Sequence, residues 1–527
     1  LVWRIVILVL VTAGAIGIGY ANAMLMVHTR MKILTDFRRR IYRTILRQSF
    51  SYFDKQETGQ LINRTIGDVN MLRMFYTMVL VQGSEIALLI VGTMVAMFWI
   101  DPWVALVALP FIPVYVLAMF VFSKRIHPMF HDMRHELDRS TQILSENVQG
   151  VQVVRASGRE PEEEKRYDEA IQGVLNRYMR LAGNFAVYQP VVFYLGQLSL
   201  LSVLAITSYR ALQGAIAIGA IYTVFRWSRL LTGNIQMMAR MAATLEHSLV
   251  SAERVFEILD ARPEVSMAKE PEPIPEGNGH VVFENVTFSY KDLPVLKEVS
   301  LDIPAGTNVA LVGPTGSGKS TLIKLLPRFY DPQGGRILID GVDIRAVQAE
   351  QLRAEIGFVF QDTFLFSASL AENIAFGVPD AEKLVIEDVA RRARVDEFAA
   401  TFEDGYQTAV GERGISLSGG QRQRVAIARA LLVDPRILIL DDATASVDAT
   451  TERAIQDGLA EVMKNRTTFI IAHRITTVKR ADMVVVMDDG QIVQQGTHAD
   501  LLGQEGSYRE FVQMQWQLGL DEEEVKR

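Results

Sequence analysis

The sequence predicts a two-part architecture: a membrane α-helical bundle fused to an α/β domain that carries a P-loop. Three observations carry that expectation. Long uncharged apolar runs are confined to the first half of the 527 residues. A stretch holding Pro263, Pro271, Pro273 and Pro275 among glutamates then marks a boundary. Beyond it, short β-branched runs alternate with helical stretches, the pattern of a substantially parallel sheet. The composition shifts divide the chain into 1–262 (membrane part), 263–279 (linker), 280–517 (α/β domain) and 518–527 (acidic tail).

Composition narrows the function classes. Lys and Arg number 54 against 61 Asp and Glu, a net charge of −7 that opposes a nucleic-acid partner. The chain has no cysteine, which excludes a disulfide framework, a Cys-ligated metal and thiol catalysis.

The spans follow in order. Residues 5–27 are uncharged, 74–100 carry only Glu85, and 102–123 and 181–209 are again uncharged. A fifth apolar segment, 215–241, is weakened by Arg226 and Arg229. About 20 residues of helix cross a bilayer core, so five spans are expected. The loop 28–73 holds ten Lys/Arg against four acids, and 124–180 is also long and charged. The positive-inside rule puts both loops in the cytoplasm, and with them the α/β domain, with the chain in the plasma (inner) membrane. Leu1 then lies outside, and one further span is expected before it, making six. Apolar residues at three-to-four spacing predict that the loops are helical rods, with tips near 50–68 and 151–163.

Gly313-Pro-Thr-Gly-Ser-Gly-Lys319-Ser320-Thr321 follows the apolar run 308–312 and precedes a helical stretch, the context a P-loop needs. Glycines let Gly313, Thr315, Gly316, Ser317 and Gly318 curl backbone N–H groups around phosphate oxygens. In such a loop Lys319 reaches the β/γ-phosphates and Ser320 ligates Mg²⁺. The strand-like run 436–440 ends in Asp441, a Walker B pattern whose carboxylate holds the same ion. Leu417-Ser418-Gly419-Gly420-Gln421 precedes an amphipathic helix, and His473 follows the run 467–471, 32 positions after Asp441.

With those motifs the chain is identified as a member of the ABC transporters of the exporter type, over nearly its whole length. The resemblance implies ATP and Mg²⁺ as ligands, adenine stacked on Tyr290, and Gln361 as the Q-loop residue that contacts Mg²⁺ and senses the membrane domain. It implies that Thr321 lies in the phosphate cradle, Asp448 in the D-loop, and His473 acts as the switch histidine on the γ-phosphate. The signature Ser418–Gln421 faces the nucleotide of a second half-transporter. Residues 50–59 and 156–160 resemble the family's two coupling segments, and Val410–Gly414 its exporter-specific segment. Drugs or lipids, that is hydrophobic or amphiphilic small molecules in contact with membrane lipid, are the implied cargo.

One departure stands out. Where the family has Glu as general base after the Walker B Asp, this chain has Asp442, whose carboxylate sits about 1.5 Å back, a displacement able to cost about 10²-fold in rate. A degenerate site in a heterodimer is the favoured expectation. The alternatives are a homodimeric exporter or lipid flippase with a slow Asp-based ATPase, and an ATP-gated channel or regulator on the same fold. Glu85, Arg226 and Arg229 are the ionisable residues inside spans and stand open between substrate contact and solvation or pairing with lipid phosphate or one another, while Met237, Met238 and Met241 suit apolar binding but are expected to be ordinary packing. Pro110 and Pro113 are expected to kink the fourth span.

Overall fold

The computed structural model describes residues 2–265, 270–291, 293–411, 414, 416–441, 462–472 and 474–517. It forms two compact units: 1–47 with 56–261, and 48–55 with 262–527.

The first unit is entirely helical. Helix α1 (Val2–Leu46) runs without a break from its apolar half into its basic half. After the short α2 (Phe50–Asp54), which belongs to the second unit, a rod runs from Thr58 to Ile100. The rod consists of α3 (Thr58–Asn63), a π-helical stretch Arg64–Asp68, α4 (Val69–Met74), a second π stretch Phe75–Gln82, and α5 (Gly83–Ile100). Asp101 stops α5 and caps α6 (Pro102–Ala108), accepting a bond from the Trp103 amide at 2.8 Å. Then come α7 (Phe111–Gln149), α8 (Val151–Ala156), α9 (Glu160–Leu212) and α10 (Gly219–Asp260). Both expected tips are present, one at residues 48–57 and the other around α8.

Among the described residues, four helical stretches are long and apolar enough to cross a membrane: 2–46, 58–100, 102–149 and 160–212. The fifth expected span is helical, as α10, but does not join that group, because Arg226 and Arg229 interrupt its apolar run. Pro110 interrupts the hydrogen-bond ladder between α6 and α7, since a proline has no N–H, yet Leu109 and Pro110 keep right-handed helical dihedrals, while Pro113 sits in the first turn of α7 where that loss costs nothing.

The helical unit packs around Met97, Val104, Ala105, Ala108, Val203, Val224 and Leu231. Its buried carboxylates are paired. Asp101 accepts from Arg210 Nε at 2.7 Å. Asp68, at the end of the first π stretch, takes both Arg254 Nε (2.8 Å) and Nη2 (2.6 Å), and also the Ser251 hydroxyl at 2.9 Å.

The second unit contains two sheets. Six strands lie in the order β10-β9-β3-β8-β7-β6. They are β3 (Asn308–Val312), β6 (Ile356–Val359), β7 (Ile437–Leu440), β8 (Thr467–Ile471), β9 (Met483–Asp488) and β10 (Gln491–Gly496). All neighbours are parallel except β9–β10. The β3, β7 and β8 strands are near-continuously apolar, as a sheet covered on both faces requires. A second, antiparallel sheet has the order β2-β1-β4-β5, from β1 (Val281–Tyr290), β2 (Leu293–Ile303), β4 (Gly334–Ile339) and β5 (Val342–Asp343). It was not separable from the first in the sequence.

Helix α11 (Lys319–Leu325) buries Leu322, Ile323 and Leu325 in a core shared by both sheets. Helices α12–α15 (Ala349–Ala354, Leu370–Ile374, Lys383–Arg392, Asp396–Ala399) and α16 (Gly419–Leu432) follow, and α13–α16 build a second core around Leu370, Phe398 and Ala428.

Candidate nucleotide site

The site grows from the C-terminal edge of the parallel strands, where α/β sheets place their ligand loops. The β3 strand ends at Val312 and the chain turns through Gly313–Gly318 into α11. Gly313 has φ +145° and Gly318 φ +99°. A Cβ at Gly313 would collide with the Met487 carbonyl, and one at Gly318 would lie 2.8 Å from Leu296 Cδ2. Glycine is therefore required at both positions by backbone conformation and by space. Gly316, also at positive φ, faces open space, so the outer side of the loop is free for a ligand.

Lys319 is buried, and its Nζ donates to the carbonyls of Gly313 (2.9 Å) and Pro314 (2.7 Å) and to the Ser317 hydroxyl (3.3 Å). Burial pushes its pKa down, and the carboxylate of Asp441 opposes that shift. Asp441 follows β7 directly, and its own amide bonds Val359 O at 3.0 Å, which ties the Walker B carboxylate to β6. Ser320 follows Lys319 in the first turn of α11 and is half-buried, with Thr321 buried next to it. Gln361 stands two residues beyond β6 and is exposed. The P-loop, Asp441 and Gln361 thus issue from the same ends of three parallel strands.

Tyr290 closes β1. Its ring meets Phe288 edge-on at 4.8 Å and Tyr330 edge-on at 5.3 Å. Burial raises its pKa, while hydrogen bonding with Thr321 and with Tyr330 draws it back. The signature lies at the start of α16. The Ser418 hydroxyl accepts from the Gln421 amide at 3.3 Å, and Gln421 Oε1 accepts from the Ser418 amide at 2.8 Å. That reciprocal pair is a capping box, visible in the sequence as Ser-x-x-Gln. It fixes the start of the helix and leaves Gly419 and Gly420 as its first turn. Thr315 is exposed in the loop and Ser317 is buried in it.

Asp442, Asp448 and His473 fall outside the described residues, although β8 ends two positions before His473. In the helical unit Glu85, Arg226 and Arg229 are all exposed, and among the described residues neither arginine pairs with Glu85. Three residues gained significance only from the fold: Tyr330, Asp54 and Glu264. Tyr330 donates to Asp54 Oδ2 at 2.7 Å across 276 positions of sequence, and Lys55 Nζ lies 2.6 Å from Glu264 Oε1. No local motif announces contacts of that separation.

A P-loop on a parallel sheet, a strand-end carboxylate that acts on its lysine, and a capped signature helix define an ATPase domain, here fused to a helical membrane unit. Comparison with known proteins gives the family. Residues 1–234 match the family described as "ABC transporter transmembrane region" and 296–445 that described as "ABC transporter". The chain is 33% identical to an ATP-dependent lipid A-core flippase of Syntrophus aciditrophicus, over 99% of this chain and 86% of the relative. It is 38% identical to a fatty acid ABC transporter ATP-binding/permease protein of Mycobacterium tuberculosis, over 95% and 79%. A bacterial Atm1-family ABC exporter solved with ATP bound superimposes with a TM-score of 0.81 at 29% identity, covering 93% of this chain and 86% of that one. The chain belongs to the ABC transporter family. It is an exporter-type, ATP-hydrolysing multi-pass membrane protein whose ATPase domain is cytoplasmic.

Proposed function

We propose that this chain is one half of a dimeric exporter that uses ATP to move lipid-like or other hydrophobic amphiphiles out of the inner leaflet. The observation that carries the reading is a glycine loop whose Lys319 is held on the carbonyls of Gly313 and Pro314, at the same edge of the parallel sheet from which Asp441 issues, in a chain whose described residues include four helices apolar enough to span a membrane. The printed activities of the relatives, lipid A-core and fatty acid transport, support the cargo class.

In this reading Gly313–Gly318 and Lys319 hold the phosphates, Thr321 completes the cradle and Tyr290 stacks on adenine. Ser320, Asp441 and Gln361 form an all-oxygen donor set that fits a hard cation such as Mg²⁺. When bound, the cation neutralises charge developing on the transferred phosphoryl group. The chain's own contribution is positioning: the loop amides orient the phosphates, Asp442 takes the role of base toward the attacking water, and His473 that of the switch residue on the γ-phosphate. Ser418, Gly419, Gly420 and Gln421 serve the nucleotide held by the partner chain.

Asp442 gives the finer proposal, a heterodimer in which this chain's P-loop site is slow while its intact signature completes a faster site on the partner. The test is ATP-dependent inward-to-outward movement of a fluorescent phospholipid in liposomes holding the purified native complex, with intact masses of its chains. Flipping with a second, different ABC chain supports the full proposal. Copies of this chain alone leave a symmetric flippase, and no flipping of any lipid probe removes the cargo class. Within the complex, Asp442→Glu is expected to raise ATP turnover by up to about 100-fold, measured as phosphate release.

A further inference from the structure

We infer that Tyr330 is a positioning residue that links Tyr290, the seat of the adenine, to the short helix α2, so that base occupancy sets how firmly α2 is held. The inference rests on the reading of Tyr290 as the adenine platform. Although more than two hundred positions separate α2 from the α/β domain in sequence, α2 belongs to the same compact unit. Phe50 at its start stacks on Phe329, centroids 4.1 Å apart. Asp54 at its end accepts the hydrogen bond of Tyr330 at 2.7 Å.

Phe329 and Tyr330 are adjacent and both are buried, so one dipeptide holds both ends of α2. The ring of Tyr330 meets Tyr290 edge-on, the two planes at 88°, and Phe288 completes the cluster. An edge-to-face pair fixes the orientation of both rings. A base stacked on Tyr290 sets the plane of that ring, and thereby the direction in which Tyr330 presents its hydroxyl. Packing alone would be satisfied by phenylalanine at 330. The buried hydroxyl needs an acceptor, and the carboxylate that supplies one is on α2.

A second attachment runs from Lys55, the residue after α2, to Glu264 at 2.6 Å, and involves none of the aromatic rings. The base-dependent part of the attachment therefore runs through Tyr330.

The test is hydrogen exchange by mass spectrometry on the full-length transporter in liposomes, with Mg²⁺ and either AMP-PNP or tripolyphosphate, which lacks a base. Both ligands are expected to protect 313–321. Only AMP-PNP is expected to slow exchange at 50–55 further, by about tenfold, the worth of one hydrogen bond to a charged group. Tyr330→Phe, and independently Asp54→Ala at an exposed position, are expected to erase that difference while 313–321 stays protected. A merely structural role would speed exchange at 50–55 equally with both ligands and keep the difference. Survival of the difference in both variants overturns the inference. Protection around Tyr290 by AMP-PNP with no change at 50–55 overturns the link alone. Equal behaviour of the two ligands at Tyr290 as well overturns the adenine reading beneath it.

Discussion

The P-loop and the Asp68–Arg254 pair handle charge in opposite ways. The P-loop prepares for a charge that arrives from outside, and does so within nine consecutive residues, 313–321. Asp68 carries a charge of its own in the helical unit, and its partners Ser251 and Arg254 lie 183 and 186 positions away. The difference follows from what each must supply. Phosphate recognition needs a run of backbone N–H groups at special dihedral angles, which only neighbours in sequence can offer. A buried carboxylate needs a cation and donors from another helix, because its own helix already spends its N–H groups on the i−4 carbonyls.

The sharpest way to break this comparison is at Lys319. Lys319→Ala is expected to lower kcat for ATP by at least about 100-fold, because a preorganised contact to the reacting phosphate is lost. Thermal stability should change little, since Lys319 Nζ bonds only carbonyls and a hydroxyl of its own loop. Phosphate release and a melting curve on the same sample separate the two effects.

The reverse pattern is expected at Arg254. Arg254→Ala strands the Asp68 carboxylate and should cost about 3 kcal/mol, the low end for a broken buried pair, because the Arg254 side chain is 42% exposed. It should leave ATP affinity unchanged, and Asp68→Asn in the same chain should recover most of the loss. A melting temperature that fails to fall would mean that Ser251 and water suffice for Asp68.

The smallest effect probes a residue with both a local and a distant duty. Ser418→Ala removes one half of the capping box of α16 and should cost about 1 kcal/mol of stability. If Ser418 also serves the partner's nucleotide, turnover falls by far more than a cap accounts for. A fall in turnover no larger than the lost stability accounts for would reduce Ser418 to a capping residue.

Legibility followed the same division. The runs 308–312, 436–440 and 467–471 read as buried strands and form β3, β7 and β8, because a parallel strand covered on both faces is apolar over most of its length rather than alternating. The rods were readable because apolar residues recur at three-to-four spacing over 30–48 and 130–175. Three features were not readable. The antiparallel sheet pairs β1 with β4, more than forty residues on, through a register that no local alternation specifies. The π stretches at 64–68 and 75–82 share no sequence signal, the first holding Gly67 and the second no glycine or proline, and both pack against α10. Pro110 signalled a kink, yet whether a span bends or divides depends on the neighbours that take up the freed backbone groups.

By itself the sequence determined the class of the chain and the chemistry of its nucleotide site, since glycine dihedrals, a lysine and a strand-end carboxylate are properties of contiguous residues. Only the tertiary structure decided which cation answers Asp68 and Asp101, and that α2 is held by Phe329, Tyr330 and Glu264. The physical reason is distance along the chain. A contact that closes a loop of a hundred residues or more is selected by the packing of whole elements, and it leaves no period, spacing or motif in the residues that make it.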